Sequence, residues 1–175
     1  MAEHAGAPAH VVVMGVSGSG KTTIGERLAA RLGWPFADAD AFHPPANKAK
    51  MRGGTALEDA DRWTWLAAIA DWLAARASDG EHGVVACSAL KRSYRDRLRQ
   101  AQARVRFVHL TAPVTVLAQR MGGRSGHFMP QSLLPSQLAT LEPLAPDEDG
   151  VIVGTDVPID EVVDRALAAL GNDAG

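Results

Sequence analysis

Residues 15–22 read Gly-Val-Ser-Gly-Ser-Gly-Lys-Thr, a G-x-x-x-x-G-K-[ST] pattern met by Gly15, Gly20, Lys21 and Thr22. Each residue type has a mechanical reason to be there. Glycines at 15, 18 and 20 let a loop curl until backbone N–H groups converge on phosphate oxygens, an approach that side chains would block. Lys21 reaches the β- and γ-phosphates of a nucleoside triphosphate, and the Thr22 hydroxyl ligates Mg²⁺. Ser17, Gly18, Ser19 and Thr23 complete the stretch that lines the phosphates. The pattern alone serves kinases, switches and motors alike. A guanine-reading N-K-x-D string is missing: the nearest, Asn47–Lys50, lacks the acid and comes too early. The run Val84–Cys87 is followed by Ser88, where many ATPases carry a metal-orienting aspartate.

The acids that could take that part are Asp38 and Asp40, which close the stretch Phe36–Asp40. Two residues apart on a strand they point the same way. One would help hold Mg²⁺ through water, and the other would accept a proton from an acceptor hydroxyl as general base. The alternative is a cap or turn role, common for acids at strand ends. Cations crowd Lys91–Arg106, a segment with the single acid Asp96. Most of that run reads as solvated helix surface. Lys91 and Arg95 differ, because they stand closest to the preceding strand and could bind an anionic acceptor. Arg120 and Arg124 bracket the glycine-rich stretch Gly122–Pro130, which reads as a mobile lid over about residues 120–135. A lid arginine neutralises charge on a transferring phosphoryl group, an effect worth about 10³–10⁵ in rate where isolated. Closure also keeps water from competing as acceptor. His43 and His127 lack zinc-site spacing, and either hydrogen bonding to a hydroxylated substrate or loop anchoring fits them. Cys87 reads as a small core residue, and the tryptophans at 63, 65 and 72 as packing, with Trp63 off the main stripe.

These residues need a frame. His10–Met14 is a β-branched run ending at a glycine, the mark of a buried parallel strand. Ile24, Leu28 and Leu32 recur at helical spacing from Lys21 onward, and Gly33 offers a C-cap. Phe36–Asp40 reads as a second strand, and His43–Gly54 as loop with at most a short helix. Asp59 and Asp61 open a helix whose stripe is Trp65, Leu66, Ile69, Trp72 and Leu73. Val84–Cys87 is a third strand, and Leu90, Tyr94, Leu98 and Ala101 line the helix after it. Val105–Leu110 is a fourth strand, followed by a helix near Pro113–Met121. Val151–Thr155 is a fifth, and Pro158 opens a last helix toward Leu170. Strands alternating with helices imply an α/β fold, a doubly wound five-stranded parallel sheet. Residues 10–172 then form a single domain behind a loose tail, residues 1–9.

At 175 residues, 46% hydrophobic and 22% charged, the composition is that of an ordinary soluble globule. A formal charge of −2 argues against a general nucleic-acid binder. The single cysteine excludes an internal disulfide and fits a reducing cytoplasm. No apolar run reaches the length of a membrane span.

Assembled in order, these segments resemble the gluconate kinases (gluconokinases), small P-loop kinases related in fold to shikimate and nucleoside monophosphate kinases. The phosphate loop is shared with many relatives. More specific are DADAFHPPANKAKMRGG, LEDADRW.WL, CSALKRSYRDRLR and GHFMPQSLLPSQLATLEPL, in that order and spacing. Ala56 and Thr64 stand where prolines are expected, which could soften the acceptor region but removes no reactive group. The resemblance implies transfer of the ATP γ-phosphate to the 6-hydroxyl of D-gluconate, with ATP and Mg²⁺ as cofactors and a homodimer as the assembly. It implies Asp40 as base or hydroxyl orienter, Lys21 and Arg124 as charge stabilisers, Arg120 on the nucleotide, and Thr22 with Asp38 on the Mg²⁺ side. The gluconate carboxylate suits Lys91, Arg95 or Arg62, and its hydroxyls suit Asp40, His43, Ser88 and Gln137, with Lys50 and His127 nearby. Two rivals keep the same cradle: a kinase of another small acceptor, and a nucleotide-binding module without catalysis.

Overall fold

The computed structural model describes residues 9–55, 57–101, 103–122 and 134–171. Strands β1 (Ala9–Met14), β2 (Phe36–Asp38), β3 (Val84–Ala86), β4 (Arg104–Thr111) and β5 (Gly150–Gly154) form one sheet in the order β2-β3-β1-β4-β5. Every pairing in it is parallel. The helices are α1 (Lys21–Leu32), α2 (Pro45–Arg52), α3 (Asp59–Ser78), α4 (Arg92–Leu98), α5 (Val114–Gly122), α6 (Leu134–Thr140) and α7 (Ile159–Gly171).

Side-chain alternation along the strands sorts the core into two layers. Val12, Met14, Val85, Cys87 and Phe107 face α3 and α4, where Trp65, Leu66, Ile69, Leu73, Tyr94 and Leu98 meet them. Val11, Val13, Val84, Val108, Leu110 and Val153 face α1 and α7, against Ile24, Leu28, Val162, Val163 and Ala166. Both faces of the central strands are therefore apolar, which is why β1 reads as an unbroken hydrophobic run. A smaller cluster of Val16, Leu90, Leu117 and Leu134 ties α5 and α6 to the loop after β1. β1 has β3 on one side and β4 on the other, so the chain reverses its direction of travel across the sheet at β1. A crevice opens at the carboxyl end of the strands at such a point.

Most expected elements appear. α1 spans the expected residues, and Gly33 caps it in the left-handed conformation (φ 72°) with its N–H on Ala29 O. α3 opens with a capping box in which the Glu58 and Asp61 side chains and backbones bond reciprocally. One reading changes, one is borne out and one helix is new. β2 ends at Asp38, and residues Ala39–Phe42 form a 3-10 turn, because Asp38 Oδ1 accepts the Asp40 N–H (2.9 Å) and caps it. The loop after His43 contains the eight-residue helix α2, started by Pro45 in its first turn. α6 answers to no sequence signal read above. The glycine-rich stretch expected as a lid lies mostly outside the described residues, as do residues 1–8 of the expected tail.

Candidate active site

The nucleotide side is built from backbone. Gly15 (φ 151°) and Gly18 (φ 85°) turn the loop where a side chain has no room. A Cβ on Gly15 would lie 2.8 Å from Leu110 O, and one on Gly18 2.8 Å from Leu117 O. The loop delivers the chain into α1 at Gly20, which has no side chain with which to cap it, so the N–H groups of Lys21, Thr22 and Thr23 face the crevice as a ready anion site. The Ser19 hydroxyl is buried and finds no hydrogen-bond partner among the described residues, as expected of a group built for a ligand. Lys21 Nζ donates to Val16 O (3.3 Å) across the loop. Arg120, at the end of α5, donates to Gly18 O (3.3 Å), Thr155 Oγ1 (2.9 Å) and Thr155 O (2.6 Å). It thereby joins the phosphate loop to the loop after β5.

Beside this cradle, Thr22 Oγ1 donates to Asp38 Oδ2 (2.9 Å). Asp38 thus serves the cap foreseen as its alternative role and also meets the hydroxyl expected to ligate metal. Among the described residues no group of three or more His, Cys, Asp or Glu side chains could hold a metal alone. A hydroxyl and a carboxylate beside a phosphate cradle fit Mg²⁺, which takes few protein ligands and completes its shell with phosphate and water oxygens. Asp40 sits on the 3-10 turn, exposed. The expectation that Asp38 and Asp40 point the same way along one strand is therefore corrected, because the turn begins between them.

Cys87, just past β3, is a buried core residue, as expected. Burial pushes its thiol up to about 12, and the charges that act on it through space include Lys21, Asp40 and Arg62. His43 is buried, stacks on Trp65 (ring centroids 4.2 Å apart) and shares a hydrogen bond with Asn47 Nδ2 (3.4 Å). Burial, then the charges of Arg62 and Lys48, lower its pKa to about 4, so it is a neutral ring at physiological pH. Trp65 Nε1 donates to Ala39 O (2.7 Å), anchoring the turn that carries Asp40 to α3.

The cations sort differently from expectation. Arg62 lies over the Tyr94 ring (5.3 Å), and its buried Nε has no hydrogen-bond partner among the described residues. Lys91 Nζ donates to Asp59 Oδ1 (2.9 Å), which also accepts the Tyr94 hydroxyl. Lys50 pairs with Asp61 (3.0 Å). Trp63 is 43% exposed and edge-on to Tyr94. Arg95 is a correction: it is wholly buried, forked onto Glu148 (Nε–Oε1 2.8 Å, Nη2–Oε2 3.0 Å), and donates through Nη1 to Ala89 O (2.8 Å). A guanidinium so enclosed has no face left for an acceptor carboxylate. Nor is the rest of the run mere solvated surface. Arg92 pairs with Asp147, Arg99 with Glu148, and Arg104 and Arg106 with Asp149. The acids at 147–149 are the signal that could have predicted this.

Gln137, on α6, is buried, and its Oε1 accepts the Ser17 N–H (2.7 Å), which places it on the phosphate loop. Ser88 is half-buried, and its carbonyl accepts the Gly15 N–H (3.3 Å). Arg124 and His127 lie outside the described residues.

The sheet order and the glycine loop at its switch point define a P-loop kinase, an enzyme class that uses ATP. A family profile described as an AAA domain matches residues 11–144. A gluconokinase of Gluconobacter oxydans is 51% identical over 160 residues, 91% of this chain and 90% of that one. The crystal structure of a gluconokinase from Sinorhizobium meliloti superposes with a TM-score of 0.85 at 51% identity, covering 94% of this chain and 93% of the other. A shikimate kinase from Aquifex aeolicus shares the fold alone, with a TM-score of 0.59 at 19% identity and coverages of 94% and 98%. The chain belongs to the gluconokinase family of P-loop kinases.

Proposed function

We propose that the protein transfers the γ-phosphoryl group of ATP to the 6-hydroxyl of D-gluconate, with residues 10–172 as one catalytic domain. The observation that carries this reading is the Thr22–Asp38 hydrogen bond (2.9 Å), which joins the start of α1 to the strand end from which the Asp40 turn departs. It sets the phosphate cradle beside the turn that carries the exposed Asp40 carboxylate, and Trp65 ties that turn to α3, the helix of Arg62.

Each residue has a distinct task. Backbone N–H groups of Gly15–Thr23 grip the phosphates, and Arg120 holds the loop against the nucleotide side. Thr22 and Asp38 would hold Mg²⁺, which neutralises charge on the phosphate oxygens when bound. Lys21 stabilises the charge that spreads over the transferring phosphoryl group, with Arg124 as its counterpart from the family resemblance. Asp40 orients the acceptor hydroxyl and takes its proton. Phosphoryl transfer through a loose transition state leaves little proton work until late, so placement matters more than basicity. Arg62 takes the acceptor's carboxylate, since a half-buried guanidinium whose Nε lacks a partner among the described residues gains from an anion. Lys91 and Lys50, already paired with acids, hold the wall around it. His43, a neutral donor and acceptor, bonds an acceptor hydroxyl, as do Ser88 and, from outside the described residues, His127. Gln137 holds the phosphate loop through its oxygen, and an acceptor hydroxyl bound beside that loop comes within its reach.

A homodimer in the cytoplasm goes with this reading on the strength of the family resemblance, and sedimentation at micromolar concentration tests the assembly. Among the described residues no helix is long and apolar enough to cross a membrane. The activity is tested by coupled ADP release with gluconate, shikimate and AMP as acceptors. Turnover with gluconate alone is expected. Equal turnover with shikimate or AMP, or none with any acceptor, overturns the assignment.

A further inference from the structure

Ala89 is the one non-glycine among the described residues with a left-handed backbone (φ 45°), and it lies one residue past Ser88, at the end of β3. A Cβ disfavours that conformation, so something must hold it there. Three bonds do. Arg95 Nη1 donates to Ala89 O (2.8 Å) and to Leu90 O (3.3 Å), and the Glu142 N–H donates to Leu90 O (2.7 Å). Arg95 is itself fixed by the two-pronged pair with Glu148, whose Oε2 also accepts the Ala145 N–H (2.8 Å). Both side chains are 0% exposed. The kink they maintain is not remote from the crevice. Just before it, the Cys87 N–H donates to Val13 O (3.0 Å) and Ser88 O accepts the Gly15 N–H at the start of the phosphate loop (3.3 Å). Just after it, Lys91 opens α4 and reaches Asp59.

We infer that Arg95 and Glu148 are positioning residues for phosphoryl transfer: they clamp the Ser88–Leu90 turn in a left-handed kink that sets Ser88 against the phosphate loop and Lys91 against Asp59 on the acceptor side. A buried ion pair is weak as a source of net stability, because desolvation offsets the attraction. Holding a disfavoured turn beside a reaction centre is a task that a well-packed apolar pair could not perform. The inference rests on the gluconokinase reading, which the wild-type ADP-release assay tests by itself.

The test uses a rescue. Arg95→Lys keeps a cation opposite Glu148 but loses the fork that reaches the two carbonyls. Its kcat with gluconate is expected to fall about 10- to 100-fold, the scale of a small misplacement, with the KM for ATP within about twofold of wild type. Ala89→Gly adopts the left-handed turn without a clamp. Alone it should show near wild-type kcat. In the Arg95→Lys background it should restore kcat to within about threefold of wild type. Glu148→Gln, with the same rescue by Ala89→Gly, replaces Arg95→Lys if that variant is unfolded. A folded clamp variant with wild-type kcat, or a double variant as slow as its clamp parent, overturns the inference.

Discussion

The two halves of the crevice are made of different material. The nucleotide half is mostly backbone: N–H groups in a glycine loop and the uncapped start of α1, joined by Lys21 and Thr22 and braced by Arg120 and Gln137. The acceptor half is side chain: Arg62, Trp63, Lys91 and Asp59 gathered at Tyr94, with His43 stacked on Trp65. Every nucleoside triphosphate presents the same phosphates, so a cradle of main-chain donors can serve unrelated acceptors. Selectivity must come from groups that substitution can change, and those are supplied by α2, α3 and α4.

The largest effect should come from the shared half. Lys21→Ala is expected to lower kcat at least about 10²-fold in a protein with a wild-type circular dichroism spectrum, since it removes charge stabilisation from the transferring group. Asp40→Ala should follow, also at least about 10²-fold in kcat but with the KM for ATP unchanged. Near-normal turnover would remove Asp40 from the chemistry and leave the acceptor half a binding surface only. Arg62→Ala should divide the halves most cleanly. The KM for gluconate rises about 10- to 100-fold, as for loss of a charged hydrogen bond, and that for ATP stays put. An equal rise in both would show that the halves are not separable.

The smallest effects are those of pH, and they fall in two windows. Burial keeps His43 neutral down to about 4, so gluconate kcat/KM should show no inflection from this residue near 6.5. Between those values the unfolded chain binds the proton that the folded chain refuses, so stability declines as pH falls from about 6.5 toward 4. His43→Gln should flatten that slope in Tm against pH without abolishing it, because burial lowers His10 and His109 as well. Glu148 acts lower. Burial would raise its carboxyl, but hydrogen bonds from Arg95, the Ala145 backbone and Arg99 outweigh that and bring it to about 2 from the usual 4.5. Its contribution is whole above 4.5 and is lost as pH falls toward 2.

The nucleotide half could be read almost residue by residue, because Gly15, Gly18, Gly20, Lys21 and Thr22 act through local backbone geometry at fixed spacing. β1, α1 and the Gly33 cap followed for the same reason: period and punctuation are local properties. The acceptor half was legible in its residue types but not in its arrangement. Asp38 and Asp40 were found, yet a single hydrogen bond from the Asp40 backbone to Asp38 ended the strand and separated them. Gln137 was found, yet it turned to the phosphate loop 120 residues away.

Arg95 and Arg62 state the limit most plainly. Both are arginines near the start of helices, and nothing within either helix says which one is spent on structure. Arg95 is satisfied by Glu148, 53 residues on, and by carbonyls that only the turn after β3 brings within reach. Arg62 reaches Tyr94 but leaves Nε bare. Residue type and spacing determined the phosphate cradle, the alternation of strands and helices, and which groups were chemically able to act. Which charges would cancel one another was decided by the tertiary structure, because partners distant along the chain meet only when the sheet has brought their segments side by side.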